Sequence, residues 1–129
     1  MTDNNGDKKQ LLFIEEEGYV IDRVNKILSD FPKFEITYAE NSETARELLE
    51  IQKFDIVLSD IYIRGLSGLE AMHKAKEKNC DVCVIIISGA DTMDLADKAI
   101  KEGAFDYILK PPNLEKLSSI LKLLTMVKF

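Results

Sequence analysis

Short apolar runs alternate with helical periods along this chain, and the alternation repeats five times. The runs are Leu11 to Ile14, Phe34 to Ala39, Phe54 to Ser59, Val82 to Ser88 and Asp106 to Leu109. Each is too short for a helix, and the central ones are apolar at successive positions, as strands covered on both faces must be. The run "VCVIII" at 82 to 87 is the clearest case. Strands of this kind, separated by helices, predict a parallel sheet with crossover helices packed on both sides.

Between the runs, apolar positions recur every three or four residues. Ile21, Val24, Ile27, Leu28 and Phe31 form the stripe of a first helix, and Ala45, Leu48 and Leu49 that of a second. The third is expected to open with a capping box, Ser67 accepting from the amide of Glu70 while the Glu70 side chain reaches back. The fourth follows Asp91, with Leu95, Ala96, Ala99 and Ile100 on one face, and stops at Gly103. The fifth starts at Asn113 after two prolines and carries Leu114, Leu117, Leu121 and Leu124. Residues 1–9 read as a disordered polar tail, and residues 10–129 as one domain.

Composition narrows the function. With 129 residues, 46% of them apolar, the chain has room for one continuous core and no second domain. Its formal charge of −6 opposes binding to nucleic acid or to an anionic membrane, which leaves proteins and metal ions as the expected partners. No apolar leader or spanning segment is present in the sequence, so a soluble, cytoplasmic protein is expected. Cys80 and Cys83 form a C-x-x-C, but residues three apart on a strand face opposite ways, and His73 is the one other soft ligand. The pair is therefore read as two reduced thiols, with Cys83 in the core, and His73 as a surface or half-buried imidazole.

Sheets of this architecture bind ligands beyond the carboxyl ends of their strands. There the sequence puts Glu15 and Glu16 after the first strand, Asp60 after the third, Ser88 after the fourth and Lys110 after the fifth. Three carboxylates without thiolate or imidazole suit Mg²⁺, while a lysine and a hydroxyl beside them suit a phosphoryl group. The natural covalent acceptor is an aspartate, so an acyl phosphate on Asp60, taken from a phosphorylated donor, is the chemistry expected. Taken singly, Glu15 to Glu17 could be a solvated helix N-terminus with Lys110 paired to one of them. Functional residues at four strand ends argue for a site.

The segments "LLFIEEE", "DIVLSDIYIRGLSGLE", "VIIISGA" and "GAFDYILKPP" together resemble the receiver domain of two-component response regulators, from about Leu11 to Leu124. The resemblance implies a flavodoxin-like, doubly wound α/β fold with five helices and strand order 2-1-3-4-5. It implies that Asp60 is the phosphoacceptor, loaded by a sensor histidine kinase or a phosphotransfer protein. Glu16, Asp60 and the backbone carbonyl of Tyr62 would hold Mg²⁺, with Glu15 acting through water. Ser88 would bond the phosphoryl group, Lys110 would be the family's lysine, and Tyr107 the aromatic residue that follows the switch. A cis bond is implied between Lys110 and Pro111, and a homodimer through the face built from the fourth helix, fifth strand and fifth helix.

This chain departs from the family pattern at Glu15 and Glu16, where at least one aspartate is usual, at Arg64, where proline is usual, and at Ser67, often aspartate. Each glutamate carries an extra methylene and an extra torsion to immobilise, which predicts Mg²⁺ binding up to roughly tenfold weaker than by aspartates. The alternative function is a pseudo-receiver, an interaction module that signals without phosphate. A magnesium-dependent phosphatase would need a D-x-D after a strand, and a flavin-binding relative would need a phosphate-cradling loop where Glu15 to Glu17 would repel the phosphate.

Overall fold

The computed structural model describes residues 8–127. Five strands, β1 (Lys9–Ile14), β2 (Phe34–Ala39), β3 (Ile56–Asp60), β4 (Cys83–Ser88) and β5 (Asp106–Leu109), form one parallel sheet in the order β2-β1-β3-β4-β5. The helices are α1 (Gly18–Leu28), α2 (Ser42–Ile51), α3 (Gly68–Lys78), α4 (Met93–Lys101) and α5 (Leu114–Met126). A two-residue antiparallel ladder, Tyr62–Ile63 against Leu66–Ser67, lies between β3 and α3. The flavodoxin-like order expected from the family resemblance is the observed one.

Alternation along the strands builds two cores. Leu12, Ile14, Val57, Val84 and Ile86 face α2, α3 and α4, meeting Leu49, Met72 and Ala99. Leu11, Phe13, Ile56, Leu58, Ile85 and Ile87 face α1 and α5, meeting Val24, Leu117 and Leu121. Register then fixes where the strands end. Ile14 pairs with Ala39 and Ser59, Asp60 with Ile87, and Ser88 with Leu109, so Glu15, Asp60, Ser88 and Lys110 come level along one edge.

Several expectations shift in detail. Lys9, read as tail, opens β1, whereas residues 1–7 of that tail lie outside the described residues. Phe54 precedes β3 yet is buried, and Phe31 lies beyond the end of α1 while still capping its core. Ser67 does cap α3, accepting from the Glu70 amide at 3.0 Å. Glu70 does not reach back, because its carboxylate is taken by Arg46 of α2, which donates from Nε and Nη2 at 3.1 Å each. Leu95 and Ile100, expected to face the core, are exposed; the short α4 buries Ala96 and Ala99. Both cysteines are free: Cys80 is exposed, and Cys83 is half-buried against the α1/α5 core rather than fully inside it. The imidazole of His73 is half-exposed, 2.9 Å from Glu102 at the end of α4. No helix among the described residues is long and apolar enough to cross a membrane.

Gly68 sets the join between sheet and helix. A Cβ there would lie 2.9 Å from the carbonyl oxygen of Asp60 and 3.1 Å from Cα of Ile61, so only glycine lets α3 approach the end of β3 this closely. The Gly68 amide donates to the Ile61 carbonyl at 2.6 Å, which locks that approach in place.

Candidate functional site

The first turn after β1 shapes the acidic end of the site. The Glu15 side chain is fully buried and folds back, so that Oε2 accepts from the amides of Glu16 at 3.2 Å and Glu17 at 3.3 Å. Its other oxygen, Oε1, is buried with no hydrogen-bond partner. Burial foremost, then the neighbouring Asp60 carboxylate, which favours the protonated acid and repels the charged one, pushes the Glu15 carboxyl from its ordinary 4.5 up to about 8. Lys110, with Nζ 3.6 Å from Oε2, and the Glu17 amide pull the other way.

Asp60 ends β3 almost completely buried, its Oδ1 accepting from the Tyr62 amide at 2.9 Å and its Oδ2 paired with Lys110. Lys110 arrives from the end of β5, where its own amide donates to the Ser88 carbonyl at 2.8 Å and its bond to Pro111 is cis. The Lys110 ammonium also pairs with Glu17. Burial alone would lower the pKa of this ammonium, but hydrogen bonds to Asp60 and Glu17 and the charges of Asp60 and Glu15 outweigh it and hold the pKa above its ordinary value.

Carboxylate oxygens of Glu15, Glu17 and Asp60 lie within 4.8 Å of one another. Glu17, to which the sequence reading gave no role, is the third member of this cluster. The Glu16 side chain turns to the loop and accepts from the Arg64 amide at 3.2 Å, although Glu16 still lines the cleft. Tyr62 follows Asp60 on the same rim, its ring exposed. The cleft over these residues has a volume of about 290 Å³. Larger hollows of about 560 and 440 Å³ lie where α5 meets α1 and the loop that follows α1, without this cluster of charge.

Ser88 is fully buried at the end of β4, and its hydroxyl donates to the Gly89 carbonyl at 3.0 Å and meets Thr92 Oγ1 at 2.7 Å. Tyr107 is half-buried against the α2/α3/α4 core, with the Lys116 ammonium 4.6 Å above its ring; the same lysine pairs with Asp106 at 3.2 Å. Apolar side chains of Leu95, Ile100, Phe105, Leu109 and Leu123 are exposed on and beside α4, β5 and α5.

The fold therefore brings together Glu15, Asp60 and Lys110, and keeps Glu16 and Tyr62 at the rim. Sequence reasoning noticed Glu17 without giving it a role, because a glutamate two residues past a strand end reads as a helix start. It missed Thr92, whose one signal is a hydroxyl residue four positions after Ser88, in the turn leaving the strand.

Known proteins share this sequence pattern and this fold. Residues 11–122 match the family model described as the response regulator receiver domain. The chain is similar to a cyclic di-GMP phosphodiesterase of Thermotoga maritima, 34% identical over 83% of this chain and 28% of that protein. It is also similar to the transcriptional regulatory protein MalR of Bacillus subtilis, 31% identical over 86% of this chain and 48% of that protein. It thus spans less than half the length of either relative. Among solved structures, the receiver domain of NtrX from Brucella abortus is 28% identical with a TM-score of 0.78, covering 92% of this chain and 99% of that one. A response regulator receiver domain protein from Clostridium thermocellum is 30% identical with a TM-score of 0.72, covering 90% and 98%. On sequence and fold, the chain belongs to the response regulator receiver domain family.

Proposed function

We propose that this domain is a phosphorylation-controlled switch in which Asp60 takes a phosphoryl group from a phosphohistidine on a sensor kinase or phosphotransfer protein. The observation that carries the reading is the pairing of a buried aspartate with Lys110 at the floor of an acidic cleft. An Asp60 oxygen attacks phosphorus, the P–N bond of the donor breaks, and its electron pair returns to the imidazole nitrogen, which gains a proton. Lys110 stays beside Asp60 and offsets charge on the phosphoryl oxygens. The protein is then a signalling domain that takes part in its own loading, rather than an enzyme acting on a separate substrate.

The residues present fit Mg²⁺. They offer oxygen donors alone, and a buried Glu15 oxygen without a hydrogen-bond partner is a donor suited to a hard cation. Glu15 and Asp60 would hold the ion, with Glu16 and the Tyr62 carbonyl as the family resemblance implies. When bound, Mg²⁺ would supply positive charge that screens the incoming phosphoryl oxygens from the carboxylates. Ser88 would bond the phosphoryl group and Tyr107 would follow, remodelling the α4-β5-α5 face, whose exposed apolar residues suit a second copy of the domain or a target protein. A cytoplasmic location and the absence of nucleic-acid contacts by this domain belong to the same reading.

Incubation with a small phosphodonor and Mg²⁺ should add one hydroxylamine-labile phosphoryl group, and Asp60→Asn should abolish it. Labelling that survives the substitution refutes the assignment. A chain that stays unlabelled with both small donors and kinases, while still binding partners, would favour the pseudo-receiver.

A further inference from the structure

We infer that Thr92 is a positioning residue of this switch, its hydroxyl serving Ser88 in the resting state and the N-terminus of α4 once a phosphoryl group draws Ser88 away. The inference rests on the reading of Asp60 as phosphoacceptor and adds a residue that couples the acceptor to α4.

Two observations meet at this side chain. The first is a triangle of contacts: Ser88 Oγ lies 2.7 Å from Thr92 Oγ1, and both hydroxyls lie within reach of the Gly89 carbonyl, at 3.0 and 3.2 Å. Two hydroxyls own two protons, so each proton has a partner within the triangle and the Ser88 hydroxyl is already engaged. The second is that Thr92 occupies the N-cap position of α4 and makes no side-chain bond to that helix. Threonine is a favoured cap, and α2, α3 and α5 use theirs from extended backbone, whereas Thr92 sits at φ −119° and ψ 23°, so capping Leu95 requires a turn of its backbone as well as of its side chain. Asn41 accepts from the Thr44 amide at 2.8 Å, Ser67 from Glu70 at 3.0 Å and Asn113 from Lys116 at 3.0 Å, each three residues on. The matching amide in α4 is that of Leu95.

The resting site therefore turns a capping hydroxyl away from the helix it would cap. A phosphoryl oxygen on Asp60 is a charged acceptor, stronger than the neutral Gly89 carbonyl or the Thr92 hydroxyl, and accepts the hydrogen bond from Ser88. Thr92, which lines the same cleft, then loses Ser88 but keeps the Gly89 carbonyl for its proton, and its oxygen is released to accept from the Leu95 amide. Phosphorylation tightens the first turn of α4 through one shared hydroxyl.

The test is amide hydrogen exchange on the whole chain, with and without beryllofluoride and Mg²⁺, in the wild type, Thr92→Val and Thr92→Ser. The valine keeps the shape and loses the hydroxyl; the serine keeps the hydroxyl. In the wild type and Thr92→Ser, exchange at the Leu95 amide should slow by about fivefold, the effect of one typical cap. In Thr92→Val the slowing should vanish while the Asp60 and Lys110 resonances still shift. Equal slowing in Thr92→Val overturns the inference, and so does a wild type whose Asp60 resonance shifts with no change at Leu95. A wild type in which neither Asp60 nor Lys110 responds removes the phosphoacceptor reading itself.

Discussion

Glu15→Gln should stabilise the metal-free domain above neutral pH. The Glu15 carboxyl is buried against Asp60 and pushed from 4.5 to about 8, so the folded state holds a proton that the unfolded chain has released. An acid whose folded pKa is raised contributes stability below pH 4.5, and that stability is lost as pH rises through about 8. At ~1.4 kcal/mol for each pH unit between the two values, the loss is on the order of a few kcal/mol across the interval, reduced wherever water enters the cleft. Glutamine cannot ionise, and its carbonyl can still accept from the Glu16 and Glu17 amides, so the variant should gain about 1–3 kcal/mol over the wild type near pH 8.5 and nothing near pH 5. The assay is urea unfolding in chelator from pH 5 to 8.5. The other acids with raised values, Cys83 and Tyr38, ordinarily at 9.0 and 10.0, lose stability above this window. A wild type whose stability is flat or rises from pH 5 to 8.5, or a glutamine variant no more stable at pH 8.5, would refute the argument.

Mg²⁺ must displace that proton, so the apparent affinity should rise with pH and level off above about 8, with proton release measurable by calorimetry in two buffers. Glu15→Asp should bind Mg²⁺ more weakly, contrary to the expectation from chain length alone, because the amide cradle of Glu16 and Glu17 already fixes the longer side chain; NMR titration reads the affinity. Lys110→Met leaves Glu15, Glu17 and Asp60 without their shared cation and should cost about 2–4 kcal/mol in chelator at pH 7.5, much of it restored by millimolar Mg²⁺ in urea melts. Gly68→Ala forces a Cβ against the Asp60 carbonyl and should destabilise by about 1–3 kcal/mol, with amide shifts at Asp60 and Ile61.

Periodicity exposed the strands well because each is buried on both faces, leaving few polar residues to confuse the pattern. It failed on α4, where Leu95 and Ile100 share a helical stripe with Ala96 and Ala99 but only the alanines meet the sheet. A hydrophobic stripe is wider than the seam it buries. The strand ends announced Glu15, Asp60, Ser88 and Lys110, since a parallel sheet aligns them whatever the side chains do. Side-chain direction was not legible: three consecutive glutamates look alike in sequence, while the turn after Ile14 buries one, pairs the next with Arg64 and sends the third to Lys110. The capping box at Ser67 was half legible for a similar reason, as Arg46 lies 24 residues from the Glu70 it captures.

The thin seat of α4 sets the order in which this domain comes apart. Helix α5 buries Leu117, Ile120, Leu121 and Leu124, and α1 buries Val20, Val24 and Leu28, whereas α4 buries two alanines. A buried leucine or valine contributes roughly 1.5–3 kcal/mol and an alanine methyl well under half of that, so lifting α4 off the sheet exposes little that was hidden. Leu95 and Ile100 are already 43% and 37% exposed, so they give up only part of a full burial by the move. Excursions of α4 should therefore occur in the intact resting protein at a free energy well below that of global unfolding, with its amides exchanging ahead of those of β3 and β4. A charge too small to dislodge α1 or α5 is large enough to move α4.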